Sequence, residues 1–406
     1  MKNLGLNTSS NLSGPLQANE RLELIDILRT IALLGIFIVN IQFYRAEPGD
    51  KTNLILSWLI KIFVEGSFYP LFSILFGIGF VIILSRTEKN GKPNLLLFIR
   101  RLFVLAIIAS LQFILLEPRH ILFRYSLLGL PLITFYGAPR KVLIYSITFF
   151  FLISVFHTPI IHTLDRVKEH SAGSKNTQTI ITNIQEQETA VERGKNNWEE
   201  YSNYTSNNAK LLITQVINLT RDSTMPHIFA CFLLGIFIWK TGIFQRLYDY
   251  RHFLRYCVIF CGLFGVVGNI GLILLEWNGL TKTNPVLTSI FQTIGDSLLT
   301  ICYMAAIALL WLNTSWAKLM RLVKPAGRMG LTNYLLQSVV MSLIFLNYGL
   351  NLKGKLSVAE CVVVVILSTV IQIILSAWWF NRFKYGPVEW VWRLLIYGRL
   401  IPIRNK

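Results

Sequence analysis

Ten apolar runs of bilayer-crossing length, joined mostly by short polar links, leave this chain little choice of fold. They fall at about 24–44, 68–85, 101–117, 121–138, 141–160, 226–244, 253–275, 286–312, 329–350 and 358–381. A helical span needs about 20 mostly apolar residues. Within lipid every backbone N–H and C=O must be satisfied inside its own element, which restricts such runs to helices. Composition agrees, with 53% of the 406 residues hydrophobic and 15% charged. The expected architecture is therefore all-α, a polytopic integral membrane bundle of about ten helices, with the lipid bilayer as its first partner. Residues 1–23 form a tail, 24–160 and 226–382 two membrane halves, 161–225 a polar insertion, and 383–406 a terminal helix and tail. Leu54 to Val64, too short to span and carrying Lys61, reads as an amphipathic interfacial helix.

The net charge of +18 raises the question of nucleic acid, and its placement answers it. With the amino terminus inside and each basic residue assigned to its nearer face, 24 of the 39 Lys and Arg fall on the cytoplasmic side, against 6 of the 21 Asp and Glu. The outer face balances, with 15 of each sign. All of the excess is therefore a positive-inside signal facing anionic lipid, with both termini cytoplasmic in a multi-pass cell-membrane protein and no nucleic-acid role. No signal-peptide pattern precedes the first span. All five cysteines lie in predicted spans, which argues against a disulfide framework. The insertion from His162 to Ser223 is expected outside, part helical and part flexible, and acts either as the cap of a cavity or as a plain connector.

Polar residues inside the spans carry what chemistry is visible. Asp26 and Arg29 share a helical face and can pair. Asn40, eleven residues beyond Arg29, lies about 16 Å further along the same face. This stripe either faces protein or water in a functional site, or sits at the headgroup level with Asn40 joining two helices. Asp296, near the middle of its span, marks a pathway, a proton relay or an ion pair. Asn333 and Gln337 share one face after Arg328, in a small-residue and amide pattern that helix packing also uses. Ser73 and Gly77 read as a close-packing pair. Four histidines, His120, His157, His162 and His227, fall near outer span ends, where a general base is conceivable but clustering is not shown. No metal site, P-loop, nucleophile elbow or dinucleotide glycine pattern is present.

The stretch Arg21 to Asn40, RLELIDILRTIALLGIFIVN, resembles the opening signature of the YeiB-like family of bacterial membrane proteins (domain of unknown function 418). Phe72 to Phe80, FSILFGIGF, is similar to its second signature. GRMGLTNYLLQS at 327–338, the Ser376 to Phe380 region, and FKYGPVEWVWR at 383–393 followed by Tyr397-Gly-Arg399 are similar to its third. The first span is also similar to those of two membrane acyltransferase groups, the sugar O-acetylating family and the heparan-alpha-glucosaminide N-acetyltransferase family. Arg29 matches an arginine of the O-acetylating motif, and Asn40 stands where that motif has histidine. His120 stands where the YeiB-like pattern usually has Asp, and Ser67 where it usually has Lys.

What the resemblance implies is acyl transfer from cytoplasmic acyl-CoA, such as acetyl-CoA, to an envelope or small-molecule acceptor. Arg29 and Arg328 would hold the CoA phosphates, His120 or Asp296 would act as general base, and Asn40 would polarise the acyl carbonyl. Asp26, Asn333, Gln337 and Glu65 are candidate substrate or pathway residues. The alternative is a transporter without covalent chemistry, in which Asp296, Asn269 and Asn40 line a path and Asp296 carries a coupling proton. A sensory or scaffolding role is a weaker third option, since no soluble output domain accompanies the spans.

Overall fold

The computed structural model describes residues 23–88, 94–116, 121–171, 197–217, 224–281 and 283–404. Among these the secondary structure is helical, apart from one isolated antiparallel bridge between Phe383 and Arg404. The first half holds α1 (Glu23–Ile41), α2 (Lys51–Phe63), α3 (Phe68–Thr87), α4 (Leu95–Leu115), α5 (Ile121–Leu128) and α6 (Arg140–Ser171). The insertion contributes α7 (Asn197–Ile217). The second half holds α8 (Thr224–Thr241), α9 (Arg251–Trp277, π-helical over Cys257–Cys261), α10 (Pro285–Trp311), α11 (Thr314–Arg328), α12 (Gly330–Phe345), α13 (Val358–Phe380) and α14 (Pro387–Tyr397).

Eight of the described helices are long and apolar enough to cross a membrane, and the chain is a multi-pass helical bundle. The two remaining runs depart from single full-length helices. Gly330–Phe345 is a shorter apolar helix of 16 residues. The run 121–138 is broken: α5 ends at Leu128, and Pro131, which has no N–H to continue the ladder, opens a short 3-10 turn to Phe135. This segment nevertheless follows α8 from end to end. Arg124 donates to the Thr224 hydroxyl at 2.8 Å, and Lys240 donates to the carbonyls of Tyr136 and Ala138 at 2.8 and 2.7 Å.

The centre of the bundle is the crossing of α3 and α8. A Cβ on Gly77 would lie 2.1 Å from the Phe232 carbonyl oxygen, and one on Gly235 would lie 2.1 Å from that of Ile74. Small residues on both helices thus bring the backbones together, the packing role expected of Ser73 and Gly77. Phe76 stacks on Phe232 with centroids 4.6 Å apart, and Tyr125 meets Phe232 edge-on at 5.1 Å. At the opposite end from the basic residues, α7 lies against the end of α4. Tyr204 donates to the Leu116 carbonyl at 2.9 Å and Asn208 to that of Ile114 at 3.2 Å.

Two further elements position the site. Helix α4 begins at Leu95, six residues before the expected start, because Asn94 caps it by accepting from the Leu97 N–H at 3.1 Å. Arg101 thereby moves into its second turn. The link between the eighth and ninth runs is itself a helix, α11, and a Cβ on its Gly327 would lie 1.8 Å from the Asp26 carbonyl oxygen. Thr30 secures the same contact by donating to Val323 O at 2.9 Å.

Candidate functional site

A cavity of about 230 Å³ opens among α1, α3, α4, α5, α12 and α14, at the end of the bundle where basic residues gather. Four arginines line it: Arg29 from α1, Arg101 from α4, Arg328 from the end of α11 and Arg393 from α14. Two carboxylates, Asp26 and Glu389, accompany them, so the lining carries an excess of positive charge. Phe72, Phe76, Ile82, Ile83 and Leu105 give it an apolar side. Tyr125 and Tyr334 also face it.

Each arginine is oriented by a defined contact. Arg29 Nη1 donates to Asp26 Oδ1 at 3.1 Å, and Asp26 is only 2% exposed. Gly79 on α3 lies beside this guanidinium, where a Cβ would stand in ordinary contact at 3.6 Å from Arg29 Nη2. The Arg101 guanidinium lies 4.3 Å above the Trp392 ring, and the Trp392 indole N–H points to the Arg101 carbonyl at 3.4 Å. Arg328 lies 3.9 Å over the Phe380 ring and Arg393 4.4 Å over that of Tyr385. Stacking on a ring face orients each of these three guanidinium groups at the cavity wall.

Helix α14 does more than anchor the carboxyl terminus. Its Glu389, 6% exposed, accepts the backbone N–H groups of Leu331 at 2.8 Å and Thr332 at 3.0 Å, and also takes the Thr332 hydroxyl. It therefore supplies, from 57 residues away, the N-terminal cap that α12 lacks locally. Trp392 and Arg393, about one turn on, are carried into the cavity wall by this contact.

Of the residues expected to form a site, Asp26, Arg29 and Arg328 meet in this cavity. Asn333 and Gln337 face α13 instead: Asn333 Nδ2 donates to Ala326 O at 2.9 Å and to Ser376 Oγ at 3.1 Å, and Gln337 reaches Gln372 at 3.4 Å. Asn40 is partly buried at the far end of α1, outside the cavity lining. Glu65, in the α2–α3 turn, and Asp296, on α10 and 3% exposed, belong to another part of the bundle. His120 lies outside the described residues, as does the side chain of His162; Ile121, the chain neighbour of His120, lines the cavity.

His227 is 2% exposed and uses both ring nitrogens. Tyr69 Oη is 2.6 Å from Nδ1 and Ser297 Oγ is 2.8 Å from Nε2. Ser297 gives its only proton to Thr293 O at 2.6 Å, so Nε2 carries the hydrogen and Nδ1 accepts from Tyr69. In this arrangement the imidazole is neutral and Ser297 is not activated. Among the described residues no three His, Cys, Asp or Glu side chains gather as metal ligands.

The carboxyl-terminal part, residues 238–399, matches the family model described as Protein of unknown function (DUF418). Over 97% of this chain and 98% of theirs, it is 28% identical both to the uncharacterised protein YxaH of Bacillus subtilis (strain 168) and to an uncharacterised 39.9 kDa protein in the amylase 3' region of Bacillus acidopullulyticus. It is 24% identical to the uncharacterised protein YeiB of Escherichia coli (strain K12), over 93% of this chain and 96% of that one. The chain is thus similar along its length to YeiB-like proteins, and in its carboxyl-terminal part to the DUF418 family. No solved structure matches it. Arg328, Glu389, Trp392 and Arg393 come from the region that matches the family model, whereas Arg29 and Arg101 come from the part before it.

Sequence reasoning missed Arg101, Arg393, Glu389 and Trp392 as site residues. Arg101 counted only toward the cytoplasmic charge, and the terminal helix read as an interfacial anchor. One signal was available: Glu389 is the single carboxylate of the terminal helix, placed among aromatic and basic residues where a buried acid implies a partner.

Proposed function

We propose that this membrane protein binds a phosphate-bearing acyl donor of the acyl-CoA type in the arginine-lined cavity and passes its acyl group to an envelope or small-molecule acceptor. The observation that carries this reading is the convergence of Arg29, Arg101, Arg328 and Arg393 on one cavity with an apolar side. Guanidinium groups recognise phosphate by paired N–H donors, and ring-stacked ones are already oriented for it. The cavity volume suits a diphosphate or a short acyl chain with its pantetheine end, leaving the nucleotide at the mouth.

The positive-inside assignment puts this end of the bundle toward the cytoplasm, where acyl-CoA is found. In the transfer an acceptor hydroxyl or amine attacks the thioester carbonyl, the C–S bond breaks, and the acceptor's proton leaves with the CoA thiol. His120, next to the cavity-lining Ile121 in the chain, is the candidate base. Asp296 and Asn40 have no part in this version, because neither lines the cavity.

The test is calorimetric binding of acetyl-CoA to the purified, folded protein. Saturable binding that is lost in Arg29→Ala and in Arg101→Ala supports the reading. Absence of binding to the wild type, or binding indifferent to both substitutions, removes the cavity as a donor site.

A further inference from the structure

Away from the arginine cavity, the turn joining α2 to α3 is drawn into the bundle and held by three side chains from α9 and α10. Asn269 Nδ2 donates to Ile62 O at 2.8 Å, Thr300 Oγ1 lies 2.6 Å from Ser67 O, and the Tyr303 hydroxyl donates to Phe63 O. Gly66, at φ +80°, makes the turn possible, and it also makes room. A Cβ on Gly66 would stand 2.2 Å from both carboxylate oxygens of Asp296, so any other residue would displace that carboxylate.

Three polar side chains near this turn have oxygens without a hydrogen-bond partner among the described residues. Among the described residues no hydrogen-bond donor reaches the Asp296 carboxylate, and the charged group acting on it is another acid, Glu65. Ser67 is fully buried, and its Oγ has no hydrogen-bond partner. Asn269 is 3% exposed, and its Oδ1, whose orientation is fixed by the bond from Nδ2 to Ile62, also has none. That oxygen lies against Gly295, the chain neighbour of Asp296, at 2.2 Å from where a Cβ would be. The carboxyl end of α2, with its partial negative charge, closes the same region.

An ionised, unpaired carboxylate buried among membrane helices is strongly unfavourable. A proton would relieve Asp296 alone. A metal cation is a partner that carboxylate, hydroxyl and amide oxygens can share. We propose that Asp296, Ser67 and Asn269 form a binding site for a small monovalent metal cation, sodium in the first instance. One carboxylate with neutral hard oxygens beside an irregular stretch of backbone is the donor set such ions use within membranes, and it lacks the nitrogen and sulfur ligands of a zinc site. Glu65, next to Gly66 in the turn, interacts electrostatically with Asp296 and with the Lys61–Glu276 ion pair, and it offers an acidic approach. The site is separate from the arginine cavity and does not depend on the acyl-donor reading.

The test is thermal melting of the full chain in nanodiscs, in sodium chloride and in choline chloride of equal ionic strength, at several pH values. Sodium raises the melting temperature saturably if it binds the folded state. Asp296→Asn abolishes the response, and Ser67→Ala, which keeps the carboxylate, raises the half-saturating sodium concentration about tenfold or more. Scintillation-proximity binding of radioactive sodium to the wild type gives a second readout if Asp296→Asn does not fold. Equal melting in sodium and choline at every pH overturns the proposal. So does a melting temperature that follows pH alone, which makes a proton the occupant.

Discussion

The Arg101 guanidinium lies 4.3 Å over the indole ring of Trp392, joining the third crossing helix to the short helix at the carboxyl terminus. The contact fixes a half-buried cation by a ring face, so Arg101 remains available to an anion. Trp392→Leu keeps the apolar bulk and removes the quadrupole. A cation–π contact of about 0.5–2 kcal/mol then predicts acetyl-CoA affinity lower by roughly two- to thirtyfold with little change in melting temperature, read by calorimetry and thermal melting on the same sample.

Arg29→Lys tests the geometry of anion recognition separately from charge. Lysine preserves the ion pair with Asp26 as a point charge, yet it loses the planar fork that takes two phosphate oxygens. Affinity for acetyl-CoA is expected to fall toward that of Arg29→Ala, although the net charge of the cavity is unchanged. Wild-type affinity in the lysine variant would show that Arg29 contributes charge alone.

Glu389→Gln asks how much the tertiary cap of α12 contributes. The amide keeps one acceptor oxygen but loses the charge that favours the helix amino terminus, and it places an NH₂ beside two backbone donors or the Thr332 hydroxyl. Hydrogen bonds to a charged group contribute about 1.5–3 kcal/mol each, so the melting temperature is expected to drop measurably. Glu389→Ala is expected to drop it further and to weaken acetyl-CoA binding, because Trp392 and Arg393 then lose their support.

Gly235→Val addresses the α3–α8 crossing. Branched bulk at a position where even a Cβ would lie 2.1 Å from the Ile74 carbonyl oxygen must separate the helices. Overpacking of this kind destabilises by about 1–3 kcal/mol or more, measured as a lowered melting temperature in detergent. Gly137→Ala, at an exposed position with nothing within 4 Å of a Cβ, is the neutral control.

His227→Leu removes the acceptor for Tyr69 and the donor to Ser297 at one stroke. Each buried polar group left without a partner costs about 1–3 kcal/mol. The variant is therefore expected to melt earlier, with acetyl-CoA affinity unchanged at temperatures where it stays folded. His227→Gln, which can still donate and accept, recovers part of the loss.

The apolar runs and the charge between them were legible because they depend on local quantities: the length of a stretch against bilayer thickness, and the sign of its flanks. The first-span pairing of Asp26 with Arg29 was legible for the same reason, being a matter of spacing along one helix. Helix boundaries were harder. The start of α4 at Leu95 rests on the Asn94 cap, and the end of α5 at Leu128 on Pro131, and hydropathy registers neither strongly.

The sequence by itself determined that this chain is a multi-pass helical bundle and, through its small residues, which helix faces can approach closely. Only the tertiary structure decided which charges meet. Arg29, Arg101, Arg328 and Arg393 lie on four helices far apart in the chain, and no periodicity relates them. Nor does sequence reveal that Asp296 faces Gly66, or that Glu389 closes the first turn of α12. Helical periodicity fixes where a side chain points on its own helix; which neighbour it then faces is set by the packing of the helices against one another.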